Sequence, residues 1–133
     1  MFLERGFAYV YKIYGTSLCV NVSSEAPGIG AAVLIRALEP LEGVSLMHAR
    51  RDGVPLSDLA RGPGRLTSAL AITAADDGAD LCAPGRLWLA SLAAPPAELG
   101  ESVRIGLTRA ADARLRFYER GNAYVSGPRR LSP

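Results

Sequence analysis

Eight consecutive residues near the N-terminus, Phe7–Tyr14 (FAYVYKIY), constrain the fold more than any other stretch. Aromatic and β-branched side chains crowd a helix surface and suit a pleated strand. The run therefore predicts a strand. Gly15-Thr16-Ser17 is a turn signal, and Leu18–Ser23 (LCVNVS) predicts a second strand, so the pair forms a β-hairpin. Alternate side chains of a strand share a face, which puts Phe7, Tyr9, Tyr11 and Ile13 on one side and Ala8, Val10, Lys12 and Tyr14 on the other. A loop of residues 15–17 would pair Tyr14 with Leu18 and set Tyr11 across from Asn21. A two-residue loop would separate Tyr11 and Asn21 by face, and the residues alone leave both registers open. A ring beside an amide can read a planar heterocycle, and a ring next to a hairpin tip can wedge between bases. Tyrosines also simply fill sheet faces, and for one hairpin taken alone that simpler reading has more weight.

Later segments extend the pattern. Ala31–Leu38 (AAVLIRAL) predicts a third strand, nearly all apolar and therefore buried, with one charge at Arg36. Glu42–Arg51 predicts a short helix, and Gly62-Pro63-Gly64 opens a second over Arg65–Ile72. Arg86–Ser91, Val103–Leu107 and Leu115–Glu119 predict further strands, with Ala93–Pro96 as a break. Strands and helices do not alternate as βαβ units, which predicts an α+β fold with a mainly antiparallel curved sheet, a protruding hairpin and a few short helices. A length of 133 residues suits one domain over 1–133, with 49% hydrophobic and 21% charged residues.

Two cysteines, Cys19 and Cys82, are too few for a disulfide framework or a zinc site, and His48 is the only histidine. No metal is expected. No apolar run is long enough for a membrane helix, and a cytoplasmic chain is expected. The net charge of +2 conceals a skew. Residues 1–103 carry eight basic against eleven acidic side chains, whereas 104–133 carry seven arginines against Asp112 and Glu119. Arginine forks suit phosphates, but a compositionally biased genome would also write fourteen arginines, and on charge alone that reading prevails. A buried Arg36 needs a partner or a function. His48 is expected on the exposed side of its helix, and Cys82 in a loop.

The order of segments carries more information than any one of them. AYVYKIYG at 8–15, CVN at 19–21, VLIRALEPLEG at 33–43, GPGRL at 62–66, ALAI at 69–72, DL at 80–81, RIG at 104–106 and RFYERGNAYVS at 116–126 occur in that order. The series resembles the alkyladenine (3-methyladenine) DNA glycosylase family over nearly the whole chain. The resemblance implies a base excision repair enzyme that binds duplex DNA containing damaged purines. Such an enzyme flips an alkylated or deaminated purine from the stack and hydrolyses its N-glycosidic bond, without metal or cofactor. By the motif match, Tyr14 corresponds to the intercalating wedge, Tyr11 to a stacking wall of the base pocket, and Asn21 to the floor residue that crowds the exocyclic amine of normal guanine. Arg36 and the Val125 carbonyl correspond to the holders of the nucleophilic water. Gly64 and Arg65 open a helix suited to a DNA phosphate.

In the family a water-activating Glu, in a Thr-Glu-Ala-Tyr type segment, precedes the hairpin, and a base-recognising His follows a little further along. The only acid ahead of this hairpin is Glu4. The chain therefore resembles the C-terminal portion of the family domain, begun at an internal methionine. Residues 1–133 alone are expected to hydrolyse little. The competing readings are a non-catalytic DNA-binding remnant and a structural domain whose tyrosines are sheet filler.

Overall fold

The computed structural model describes residues 1–91, 93–95 and 97–133. Strand β1 (Ala8–Ile13) turns through Tyr14–Thr16 into β2 (Ser17–Ser23), and β3 (Ala32–Leu34) pairs with the far edge of β2. Both pairings are antiparallel. Helices α1 (Val44–Arg50) and α2 (Pro63–Ala69) follow, and a second antiparallel sheet joins β4 (Leu99–Ser102) to β5 (Arg116–Glu119). Single 3-10 turns occupy Leu56–Asp58, Ala74–Asp76 and Arg129–Leu131. The fold is α+β.

Alternation along the hairpin builds the core. Ala8, Val10 and Val20 point to one face and bury against Leu66 and Ala69 of α2, with Met47, Leu59, Ala60, Ile72 and Leu81 completing the cluster. Burying a side chain of leucine size stabilises by about 1.5–3 kcal/mol. The approach is close because position 64 is glycine: a Cβ there would lie 3.3 Å from the Ser17 Cβ. Thr67 donates its hydroxyl to the Leu18 carbonyl at 3.0 Å and pins α2 to the base of the hairpin tip.

Four expected elements differ. The hairpin loop spans residues 14–16, so Ile13 pairs with Ser17 and Tyr11 lies across from Cys19. Asn21 lies across from Tyr9. A slip of two residues keeps the face, so Tyr11 and Asn21 become diagonal neighbours on one side of the sheet.

The third strand ends at Leu34 and is not buried, since Val33 is 58% exposed. Ile35 N–H still donates to the Val20 carbonyl at 3.1 Å, but the chain then turns away, with Ala37 bridging to Arg61 and Leu38 N–H donating to the Ala60 carbonyl. Arg36 thus lies beyond the strand.

Arg86–Ser91 forms no strand. Arg86 is anchored to the Asp76 carboxylate and the Ala71 carbonyl, and only Leu89 makes a sheet-like bond, to the Leu81 carbonyl. Val103–Leu107 is also irregular, because Arg104 folds back onto the Arg109 and Ala110 carbonyls; the strand runs instead through Leu99–Ser102. Of the expected break at Ala93–Pro96, Pro96 lies outside the described residues. His48 is half-buried rather than on an open face, while Cys82 is exposed. No helix among the described residues is long and apolar enough to cross a membrane.

Candidate functional site

The face of the hairpin turned away from α2 carries Tyr9, Tyr11, Cys19 and Asn21. The Tyr9 and Tyr11 rings sit 5.2 Å apart at 30° and form a continuous aromatic surface. Asn21 is buried and donates its amide to the Tyr9 carbonyl at 3.1 Å, which fixes the side chain. Cys19 is buried opposite Tyr11. Burial pushes its thiol pKa up, against the opposing influence of the Tyr11 hydroxyl and the Arg36 charge. Burial, then Cys19, likewise raises the Tyr11 hydroxyl pKa.

Arg36 reaches this face from the segment beyond β3, and burial lowers its pKa. Its Nε is buried and has no hydrogen-bond partner among the described residues. No carboxylate there lies within ion-pair distance of Arg36. Its charge also reaches Arg116 and, after burial, is the next cause lowering the Arg116 pKa.

Arg116 is 4% exposed and was not singled out by its position in the chain. It donates to the Ser126 carbonyl at 2.7 Å and the Leu131 carbonyl at 2.9 Å. It also donates to the Ser102 and Ser132 hydroxyls, at 2.8 and 2.7 Å, and stacks 4.8 Å from the centre of the Tyr118 ring. Among the described residues no carboxylate pairs with it, and its charge is met by these dipoles and the Tyr118 ring. The preceding carbonyl, that of Val125, accepts from Arg61 Nε at 2.8 Å. Two arginines from different segments therefore hold two consecutive carbonyls. Arg61 had no distinguishing signal in the sequence. Nor had Arg116, which opens a four-residue strand that also carries Glu119.

Tyr14 stands apart from this face, at the hairpin tip. It is 91% exposed and its φ is +47°, a left-handed conformation that costs a bulky residue energy. Gly64 lies against Ser17, three residues further along the chain, and brings Arg65 to the same end of the molecule. Arg65 pairs with Asp58 at 3.7 Å. The arginines of the last thirty residues are largely occupied within the fold. Arg104, Arg114 and Arg116 bond to backbone carbonyls and Arg120 pairs with Glu98, so the C-terminal charge excess is less available than its count implies. Among the described residues no group of three potential metal ligands converges.

The family profile described as methylpurine-DNA glycosylase matches residues 1–123. The chain belongs to this family. Relatives include proteins named "Putative 3-methyladenine DNA glycosylase" from Mesorhizobium japonicum, 59% identical over 131 residues, and Paraburkholderia phytofirmans, 52% identical over 131 residues. A third, from Methanoculleus marisnigri, is 49% identical over 130 residues. These matches cover 98%, 98% and 95% of this chain, and 63%, 62% and 67% of the respective relatives. The chain thus spans a little under two thirds of the length of the first two family members.

Proposed function

We propose that this chain carries the DNA-engaging and base-holding half of a 3-methyladenine-type DNA glycosylase, acting on alkylated or deaminated purines in duplex DNA. The observation that carries the reading is Tyr14: an aromatic ring held out at a hairpin tip on a left-handed backbone, with almost no contact to its own fold. No stability argument accounts for that placement. A wedge that fills the gap left by a flipped nucleotide does. Behind it, Tyr11 offers a stacking wall, Asn21 a rigid pocket floor, and Arg36 a buried N–H that has no partner among the described residues. In this reading Arg36 and the second lone pair of the Val125 carbonyl hold the attacking water, and Gly64 and Arg65 meet a backbone phosphate. Water held this way still needs a carboxylate to accept its proton. None pairs with Arg36 among the described residues, which favours binding over turnover for residues 1–133.

The test is binding of the chain to a duplex with one hypoxanthine, followed by fluorescence anisotropy across a salt series. Salt-dependent binding that weakens on Tyr14→Ala supports the reading. Binding unchanged by Tyr14→Ala refutes the wedge. Brisk release of hypoxanthine by residues 1–133 refutes the expectation of low turnover.

A further inference from the structure

Two guanidinium groups converge on one carboxylate beside the hairpin tip, and a third lies next to them. Asp58 Oδ1 lies 3.4 Å from Arg61 Nη1 and 3.7 Å from Arg65 Nη1. Arg51 donates to the backbone carbonyls of Asp58 and Leu59, so its charge sits in the same cluster while its donors are spent on the chain. Three positive groups facing one negative group leave a local excess of two charges. The Arg51 pKa is lowered first by burial and next by the Arg65 charge, with Asp58 only partly offsetting them.

Neither contact of Asp58 is a good ion pair. Both are long, both use one carboxylate oxygen, and the Arg65 side chain is 52% exposed. Exposed pairs of this kind contribute little and are readily exchanged. A phosphate offers the same arginines a bidentate, charge-assisted partner. The cluster is also well placed. Arg65 follows Gly64, which packs on Ser17, and Ser17 is three residues from Tyr14.

We propose that Asp58 is a resident counter-charge for Arg61 and Arg65 that a DNA backbone phosphate displaces, so that the Arg51–Arg61–Arg65 cluster grips the strand next to the Tyr14 wedge. This rests on the reading of the chain as a duplex-DNA binder and adds a residue whose loss should strengthen binding. Arg61 keeps its Nε on the Val125 carbonyl throughout, so the phosphate grip and the held carbonyl share one side chain.

The experiment is fluorescence anisotropy of the 133-residue chain on a hypoxanthine-containing duplex from low to moderate salt, with the wild type, Asp58→Asn, Arg65→Gln and the double variant. Removing one charge several ångströms from a phosphate predicts about threefold tighter binding for Asp58→Asn at low salt. Arg65→Gln should weaken binding and lower the log–log salt slope by about 0.9, the loss of one phosphate contact. In the Arg65→Gln background the gain from Asp58→Asn should shrink. Thermal melts check that each variant is folded. If Asp58→Asn fails to fold, Arg65→Gln decides alone, because its side chain is largely in solvent.

Wild-type binding that depends on Tyr14, with an unchanged slope for Arg65→Gln or no gain for folded Asp58→Asn, overturns this inference and leaves the parent reading intact. Absence of salt-dependent duplex binding by the wild type overturns both.

Discussion

Truncating Arg116 to alanine tests the packing around the held carbonyls most directly. The guanidinium serves four oxygens, two of them backbone carbonyls and two of them hydroxyls. A hydrogen bond to a charged group contributes roughly 1.5–3 kcal/mol. The two hydroxyls can rotate toward other partners, whereas the carbonyls of Ser126 and Leu131 lose a buried donor. The stacking on Tyr118 adds about 1 kcal/mol where desolvated. Against this stands relief from burying a charge that no carboxylate among the described residues neutralises, a cost of several kcal/mol in general. The balance for Arg116→Ala is a destabilisation of about 3 kcal/mol. Arg116→Lys, which keeps the charge with fewer donors and no planar fork, should lose about half of that. Urea titration followed by circular dichroism measures both at constant slope. Arg116→Ala within 1 kcal/mol of wild type would show that the four bonds are worth no more than the desolvation they offset, and the reasoning would fail. Because Ser126 adjoins Val125, amide exchange in 124–127 should also accelerate more than in β1.

Three further outcomes follow from the same geometry. Tyr14→Gly should raise stability by roughly 0.5–1 kcal/mol by removing side-chain strain at a positive φ, and should weaken duplex binding; a less stable variant in a thermal melt would contradict the strain argument. Asp76 is buried, which raises its pKa, but the Arg86 guanidinium and the Thr73 backbone and hydroxyl outweigh burial and hold it below the ordinary carboxylate range. A depressed folded pKa means stability present above the unfolded carboxylate value of about 3.9 and lost as pH falls through the folded value, so Asp76→Asn should flatten the acid limb of the stability profile. Leu66→Ala, at a fully buried position in α2, should cost about 2–5 kcal/mol in denaturant titration, and a smaller loss would show that the hairpin–helix interface collapses around the cavity.

The hairpin was legible from residues 7–23 alone because aromatic and β-branched side chains at period two exclude a helix over that length. So were α2, announced by Gly62 and Pro63, and the candidate residues Tyr11, Tyr14, Asn21 and Arg36, picked out by motif order. Register was not legible. Whether the loop begins at Tyr14 or Gly15 depends on where Thr67 and Gly64 clamp Ser17 and Leu18, and those contacts come from some fifty residues away. β3 ends early because the chain at Ala37 and Leu38 turns to Arg61 and Ala60, which apolar content cannot reveal. The later segments misled because arginine side chains, rather than ladders, organise them: Arg86 on Asp76, and Arg104 on Arg109 and Ala110.

The amino-acid order by itself determined the α+β class, the hairpin and the family. Those depend on local periodicity and on motifs that survive without coordinates. Only the tertiary structure decided that Tyr11 faces Cys19, that Arg36 keeps an N–H without a partner among the described residues, and that Arg61 and Arg116 hold neighbouring carbonyls. A guanidinium reaches several ångströms in many directions, and which oxygen it finds is set by distant chain segments arriving beside it, a fact that no local pattern encodes.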